Sequence, residues 1–106
     1  MHLHIVCTDT CERGLNLLVP VSTFYDGCDD TCELDAGDHE FLQHLSFVFY
    51  AQSKLAEASK INRGFRVGAL VPKPDMDDEV FARVEAGICA SPDTPRTIKK
   101  YFGCRP

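Results

Sequence analysis

Apolar and polar residues alternate from the start of the chain. Leu3, Ile5 and Cys7 share one face of an extended segment, and this period of two predicts a first strand over residues 2–7. Asp9-Thr10 and Arg13-Gly14 supply turn chemistry. Leu15, Leu17, Val19 and Val21 repeat the alternation and predict a second strand over 15–21. Pro20 cannot donate to a ladder, so it marks the strand's end or a sheet edge. Asp26-Gly27 signals a turn, and residues 31–35 (TCELD) a short third strand. Residues 46–51 (SFVFYA) are apolar on both faces, which suits a central buried strand. Phe65, Val67, Ala69 and Val71 alternate again and predict a fifth strand over 65–71.

Between and after these strands the period lengthens. Ser53 has the chemistry of an N-cap for a short helix ending near Asn62, with Gly64 just beyond it. Asp75 can cap a longer helix over 76–89, where Met76, Val80, Val84 and Ile88 recur every fourth residue with Phe81 beside them. Glu79 and Arg83 stand four apart on that helix, as an ion pair requires. Pro92 and Pro95 break the chain, and TIKKYF reads as a last helical turn or short helix. The order β-β-β-β-α-β-α, with short sequential strands, predicts an α+β domain. Its sheet should be mostly antiparallel and curled into a small, partly closed barrel, with the long C-terminal helix packed on it.

Length and composition fit one globular domain over 1–106, with 44% hydrophobic and 25% charged residues. The N-terminus has no basic region followed by an apolar run, and no stretch approaches the ~20 apolar residues of a membrane helix. The expected location is the cytoplasm, where thiols are kept reduced, so all six cysteines are expected free. Net charge is −5 and unevenly spread. From Arg13 to Lys54 there is no intervening Lys or Arg but there are seven acids. After Asp93 the sign reverses, with Arg96, Lys99, Lys100 and Arg105. That pattern predicts a solvated surface plus a basic tail, whose Arg96, Lys99, Lys100 and Tyr101 are candidate contacts to nucleic acid.

Cys7–Cys11 and Cys28–Cys32 repeat a C-x-D-T-C pattern that could supply four thiolates to zinc. Topology opposes this. If strands 2–7 and 15–21 pair, Cys11 and Cys28 leave from opposite ends of a strand about 23 Å long, whereas zinc–sulfur bonds are about 2.3 Å. No metal or cofactor is therefore expected, and the cysteines read as small apolar fillers. A Cys–His nucleophile finds no local pattern among His2, His4, His39 and His44. Gly37-Asp38-His39-Glu40 is either a plain turn or part of a site, with Asp38 and His39 as candidate binding residues. Ser22-Thr23, directly after the second strand, places two hydroxyls where they can meet a phosphate or cap a turn.

Four segments together resemble the MazF/PemK family of toxins. LNLLVPVST resembles that family's strand ending in Pro-hydrophobic-Thr-Ser, and HIVCTD resembles the strand and turn before it. SFVFYAQSKL resembles its next strand and short helix, and FRVGALVPKPDMDDEVFARVEAGI its last strand and C-terminal helix. Order and rough spacing agree over about residues 4–90. The resemblance implies an SH3-like barrel, a homodimer, carriage on mobile elements, metal-free endoribonuclease activity in active members, and an antitoxin-like protein partner. It puts Ser22 at the position of the family's catalytic Thr, with Thr23 following. The family's catalytic Arg has no counterpart in this sequence, so Arg13 or the basic tail would have to take its place. The expected function is accordingly a non-catalytic binding or interaction protein on such a barrel. An endoribonuclease using Ser22 or Thr23 is the alternative, and a nucleic-acid binder acting through the tail is a third.

Overall fold

A computed structural model describes residues 3–105. Its spine is the longest strand, β2 (Leu15–Thr23), whose Leu17, Val19 and Val21 point inward as the alternation requires. β1 (His4–Val6) lies antiparallel along one edge of β2, with Ile5 opposite Val19. The other edge carries two strands in succession, β4 (Ser46–Val48) and β5 (Lys54–Glu57). β3 (Glu33–Leu34) pairs with β4 from outside. The five-stranded antiparallel sheet runs β1-β2-β4-β3, with β5 also on β2. β1 and β3 are its edges and do not pair, so the sheet is open.

Pro20 explains why β2's second partner comes in two pieces. It lies inside β2, opposite His4, and its carbonyl accepts from the Phe49 amide at 2.8 Å. Its missing N–H falls where β4 stops. A 3-10 turn over Tyr50–Gln52 interrupts the partner there. Between the pairs Val21–Val48 and Leu18–Lys54, β2 advances three residues while its partner advances six. The proline therefore sits beside a break in the ladder rather than at the strand's end.

Three expectations fail here. Residues 54–57 form β5 and not the start of a helix, so Ser53 caps nothing, and its buried hydroxyl has no partner. The helix begins later, as α1 (Ala58–Arg66), and the predicted fifth strand at 65–71 does not form. Its alternating apolar residues stay at the surface, so no second layer exists to hold them extended. Gly68, at φ 77°, instead turns the chain back on α1, and the Leu70 amide donates to the Gly64 carbonyl at 3.0 Å. The long helix α2 (Asp78–Ala90) is capped by Asp77, which accepts from the Glu79 amide at 3.2 Å, and not by Asp75. Arg83 reaches Asp38 at 3.1 Å, the only partner of an ion pair found for it among the described residues.

The apolar stripe of α2 behaves as its spacing predicts: Val80, Val84 and Ile88 are buried against the sheet. Tyr50 is fully buried between them, and its hydroxyl donates to the Val84 carbonyl at 2.7 Å. Its ring lies over Gly87, where any Cβ would overlap it. The tail is α3 (Arg96–Phe102), which contributes Ile98 to the core. On the opposite face of β4, Phe47 packs edge-on to Tyr25 (5.5 Å between ring centroids) and tilted against Phe49 (5.0 Å).

Not all six cysteines are free. Cys89, at the end of α2, is joined to Cys104, just past α3. The two helices form a hairpin that brings their Cα atoms to 5.5 Å, within reach of a disulfide. Cys7, Cys11, Cys28 and Cys32 are free. Cys11 precedes β2 and Cys28 follows it, so they do sit at opposite ends of that strand. Among the described residues no three His, Cys, Asp or Glu gather to hold a metal ion. Nor is any helix among them long and apolar enough to cross a membrane.

Candidate functional site

β2 ends in Ser22 and Thr23, and the register with β4 sets Thr23 opposite Ser46. The Ser46 hydroxyl bonds back to the His44 carbonyl at 3.0 Å and fixes the turn into β4. That turn delivers the His44 ring to Thr23: Nε2 lies 3.0 Å from Oγ1. Both side chains are exposed, on the wall of a cleft of about 510 Å³ that Ser22, Glu40 and Lys73 also line. Lys73 Nζ sits over the Phe41 ring, 5.2 Å from its centroid.

His39 holds this arrangement together. The Phe41 amide donates to its Nδ1 at 3.0 Å, so that nitrogen is the acceptor and Nε2 carries the proton. Nε2 then donates to the Pro74 carbonyl at 2.7 Å. This bond spans 35 residues of sequence and ties the segment after α1, with Lys73, to the 39–45 loop. His39 is buried and both ring nitrogens are engaged, so it is a strut and not a ligand group.

The Gly37-Asp38-His39-Glu40 stretch therefore divides. Asp38 turns away from the cleft, accepts from the Asp35 amide at 2.7 Å and pairs with Arg83. It lines a separate concavity of about 800 Å³ between β3 and α2. Glu40 faces the Thr23 cleft. Arg13 and the α3 residues Arg96, Lys99, Lys100 and Tyr101 lie at the other end of β2, where the Tyr101 hydroxyl reaches the Leu15 carbonyl at 3.4 Å. Eight residue steps separate Leu15 from Thr23, about 26 Å of strand, so neither Arg13 nor the tail replaces an arginine beside Ser22. Lys73 supplies the cation there.

The distal end carries its own chemistry. The Tyr101 hydroxyl hydrogen-bonds the Cys11 sulfur, and with the Leu15 and Arg13 amides and the Arg13 charge it holds that thiol below its ordinary range. Burial, then the nearby Glu85 charge, pushes Cys7 up to about 12, and burial also raises Cys32.

His44 and Lys73 join the site without having been expected there, and of the 37–40 stretch Glu40 is the residue that faces it. The signal for His44 was the strand register: once 46–48 lies against 21–23, residue 44 falls beside Thr23. No family model matches the chain, and no curated protein or solved structure was found similar to it. The chemistry rests on the cleft itself. A hydroxyl–imidazole pair can take up and return a proton, and an ammonium beside it can stabilise a developing oxyanion.

Proposed function

We propose that this protein cleaves single-stranded RNA in the Thr23–His44 cleft, with the RNA's own 2′-hydroxyl as nucleophile. The observation that carries the reading is the 3.0 Å Thr23–His44 contact on a cleft wall shared with Lys73. His44 takes the 2′-hydroxyl proton as the 2′-oxygen bonds to phosphorus. The bond from phosphorus to the 5′-oxygen breaks, and that oxygen leaves with a proton from water. Lys73 offsets the charge that builds on the phosphoryl oxygens. Thr23 and Ser22 orient the ribose and phosphate. The MazF/PemK-like resemblance supports the same reading, with Lys73 in the role that the family gives to an arginine. A homodimer on an SH3-like barrel and an antitoxin-like partner belong to it as well.

Incubation with a mixed RNA pool in the presence of a chelator tests the proposal. Cleavage should occur, and His44→Ala should slow it by about 10²-fold or more, the usual worth of a positioned base. Absence of cleavage at equimolar protein, or wild-type rates in His44→Ala, would reject it. The second reading, an interaction protein, is favoured by one observation: α1 buries none of its nine residues.

A further inference from the structure

A nine-residue helix is marginal in water unless packing supports it, yet no residue of α1 is fully buried: Ala58, Ile61 and Gly64 are half-buried and the other six are exposed. The segment after it adds to this surface. Leu70 folds back so closely that a Cβ on Gly64 would stand 2.6 Å from its Cδ1, and the two pieces form one continuous surface. Phe65, Val67, Leu70 and Val71 are 43%, 69%, 43% and 56% exposed. Four of the seven large exposed hydrophobics among the described residues thus fall within residues 65–71. Single exposed apolar residues are ordinary, but a cluster of this kind marks an interaction site. The charge is equally local. Lys60, Arg63, Arg66 and Lys73 lie in residues 58–74, which contain no Asp or Glu, in a chain of net charge −5.

We propose that α1 and residues 67–73 form a docking surface for an acidic, apolar peptide segment of another protein. Three of the four exposed side chains are aliphatic, which suits packing against protein side chains. Stacking of nucleic-acid bases needs aromatic platforms. Electrostatic reach is about 8 Å at physiological salt, so a short peptide on this surface senses these four cations, with Glu57 and Asp75 at the ends of the segment, rather than the net charge of the whole chain. An anionic bilayer would face a broad side of a 35 × 35 × 23 Å molecule that is itself net acidic. Lys73 lies at the end of this surface and lines the Thr23–His44 cleft, so an occupant would adjoin the cleft. The docking claim does not depend on what the cleft does.

The test is selection of a random 12-residue peptide library on the immobilised full chain. Enriched peptides should combine Asp or Glu with Leu, Ile or Phe. Their binding, read by fluorescence anisotropy, should fall at least tenfold in Arg63→Glu/Arg66→Glu and separately in Val67→Ser. All three positions are exposed, and an unchanged circular dichroism melt confirms folding. RNA cleavage without peptide should be unaltered in these variants, which separates this claim from that of the cleft. No enrichment, peptides without acidic excess, or binding indifferent to both variants would overturn the proposal. So would a loss, in these same variants, of the chain's dimerisation, of its binding to a single-stranded RNA oligonucleotide, or of its binding to phosphatidylserine vesicles.

Discussion

Replacing Gly87 with alanine should destabilise the domain, although alanine favours helices by about 1 kcal/mol over glycine. Gly87 lies in α2 where the fully buried Tyr50 ring crosses the helix. A Cβ there would overlap Oη and Cζ and stand 2.8 Å from Cε2. Tyr50 has nowhere to retreat, because its ring is enclosed and its hydroxyl is committed to the Val84 carbonyl. Overpacking costs about 1–3 kcal/mol, and displacing a buried hydroxyl from its acceptor costs about 1–3 kcal/mol more. Against the helix gain, the net loss is about 1–5 kcal/mol, or roughly 5–20 °C in Tm for a domain of this size. Urea or thermal unfolding of the oxidised protein measures it. Combining Gly87→Ala with Tyr50→Phe removes one of the overlapping atoms and should recover part of the loss, as a double-mutant cycle would reveal. A Gly87→Ala protein as stable as the wild type, or more so, would show that Tyr50 does not pack on α2 in this way.

Thiol reagents on the native protein should modify Cys11 well before Cys7 or Cys32, whose thiols burial holds up. Unfolding without reductant should expose four thiols, and reduction should release the two of the Cys89–Cys104 bond; six without reductant would contradict the disulfide. Opening that bond by Cys104→Ser should cost about 3 kcal/mol, the worth of a loop of about 15 residues, read as a lower urea midpoint. Burial opposes ionisation of Asp29, but hydrogen bonds from Ser91 and Thr31 outweigh it and keep the carboxyl below its ordinary value. A depressed folded value stabilises above pH ~4 and loses that contribution as pH falls through it, so Ser91→Ala should be less stable at neutral pH, with the gap closing in acid.

Several of these features could be read from residue order and others could not. β2 and the α2 stripe were legible because each buries one face, and a buried face imposes its period on the sequence. Ser22 and Thr23 were legible as hydroxyls at a strand's end for the same reason. Residues 53–71 were not, because two signals misled together. Ser53 has cap chemistry but lies buried before β5, and the alternation at 65–71 belongs to a surface with no sheet behind it. The degree of closure was not legible either: a partly closed barrel was expected, and β1 and β3 do not pair, because strand order and edge pairing leave no periodic trace in the sequence. His39 looked like a site residue because polar loop residues resemble ligands in sequence. Its role depends on Pro74, and a contact of that sequence separation leaves no local trace. Lys73 entered the cleft through that same bond.

The proposed chemistry requires a 2′-hydroxyl on the substrate and the Thr23-bound imidazole at position 44. Its most direct test is a paired oligonucleotide assay: one all-RNA strand and the same strand with a single 2′-deoxy residue at the mapped cut site, each incubated with wild type and His44→Ala. The account predicts that wild type cuts only the all-RNA strand, leaving a 2′,3′-cyclic phosphate and a 5′-hydroxyl, and that His44→Ala cuts neither at a comparable rate. Equal cutting of both strands by wild type, or undiminished cutting by His44→Ala, would contradict it.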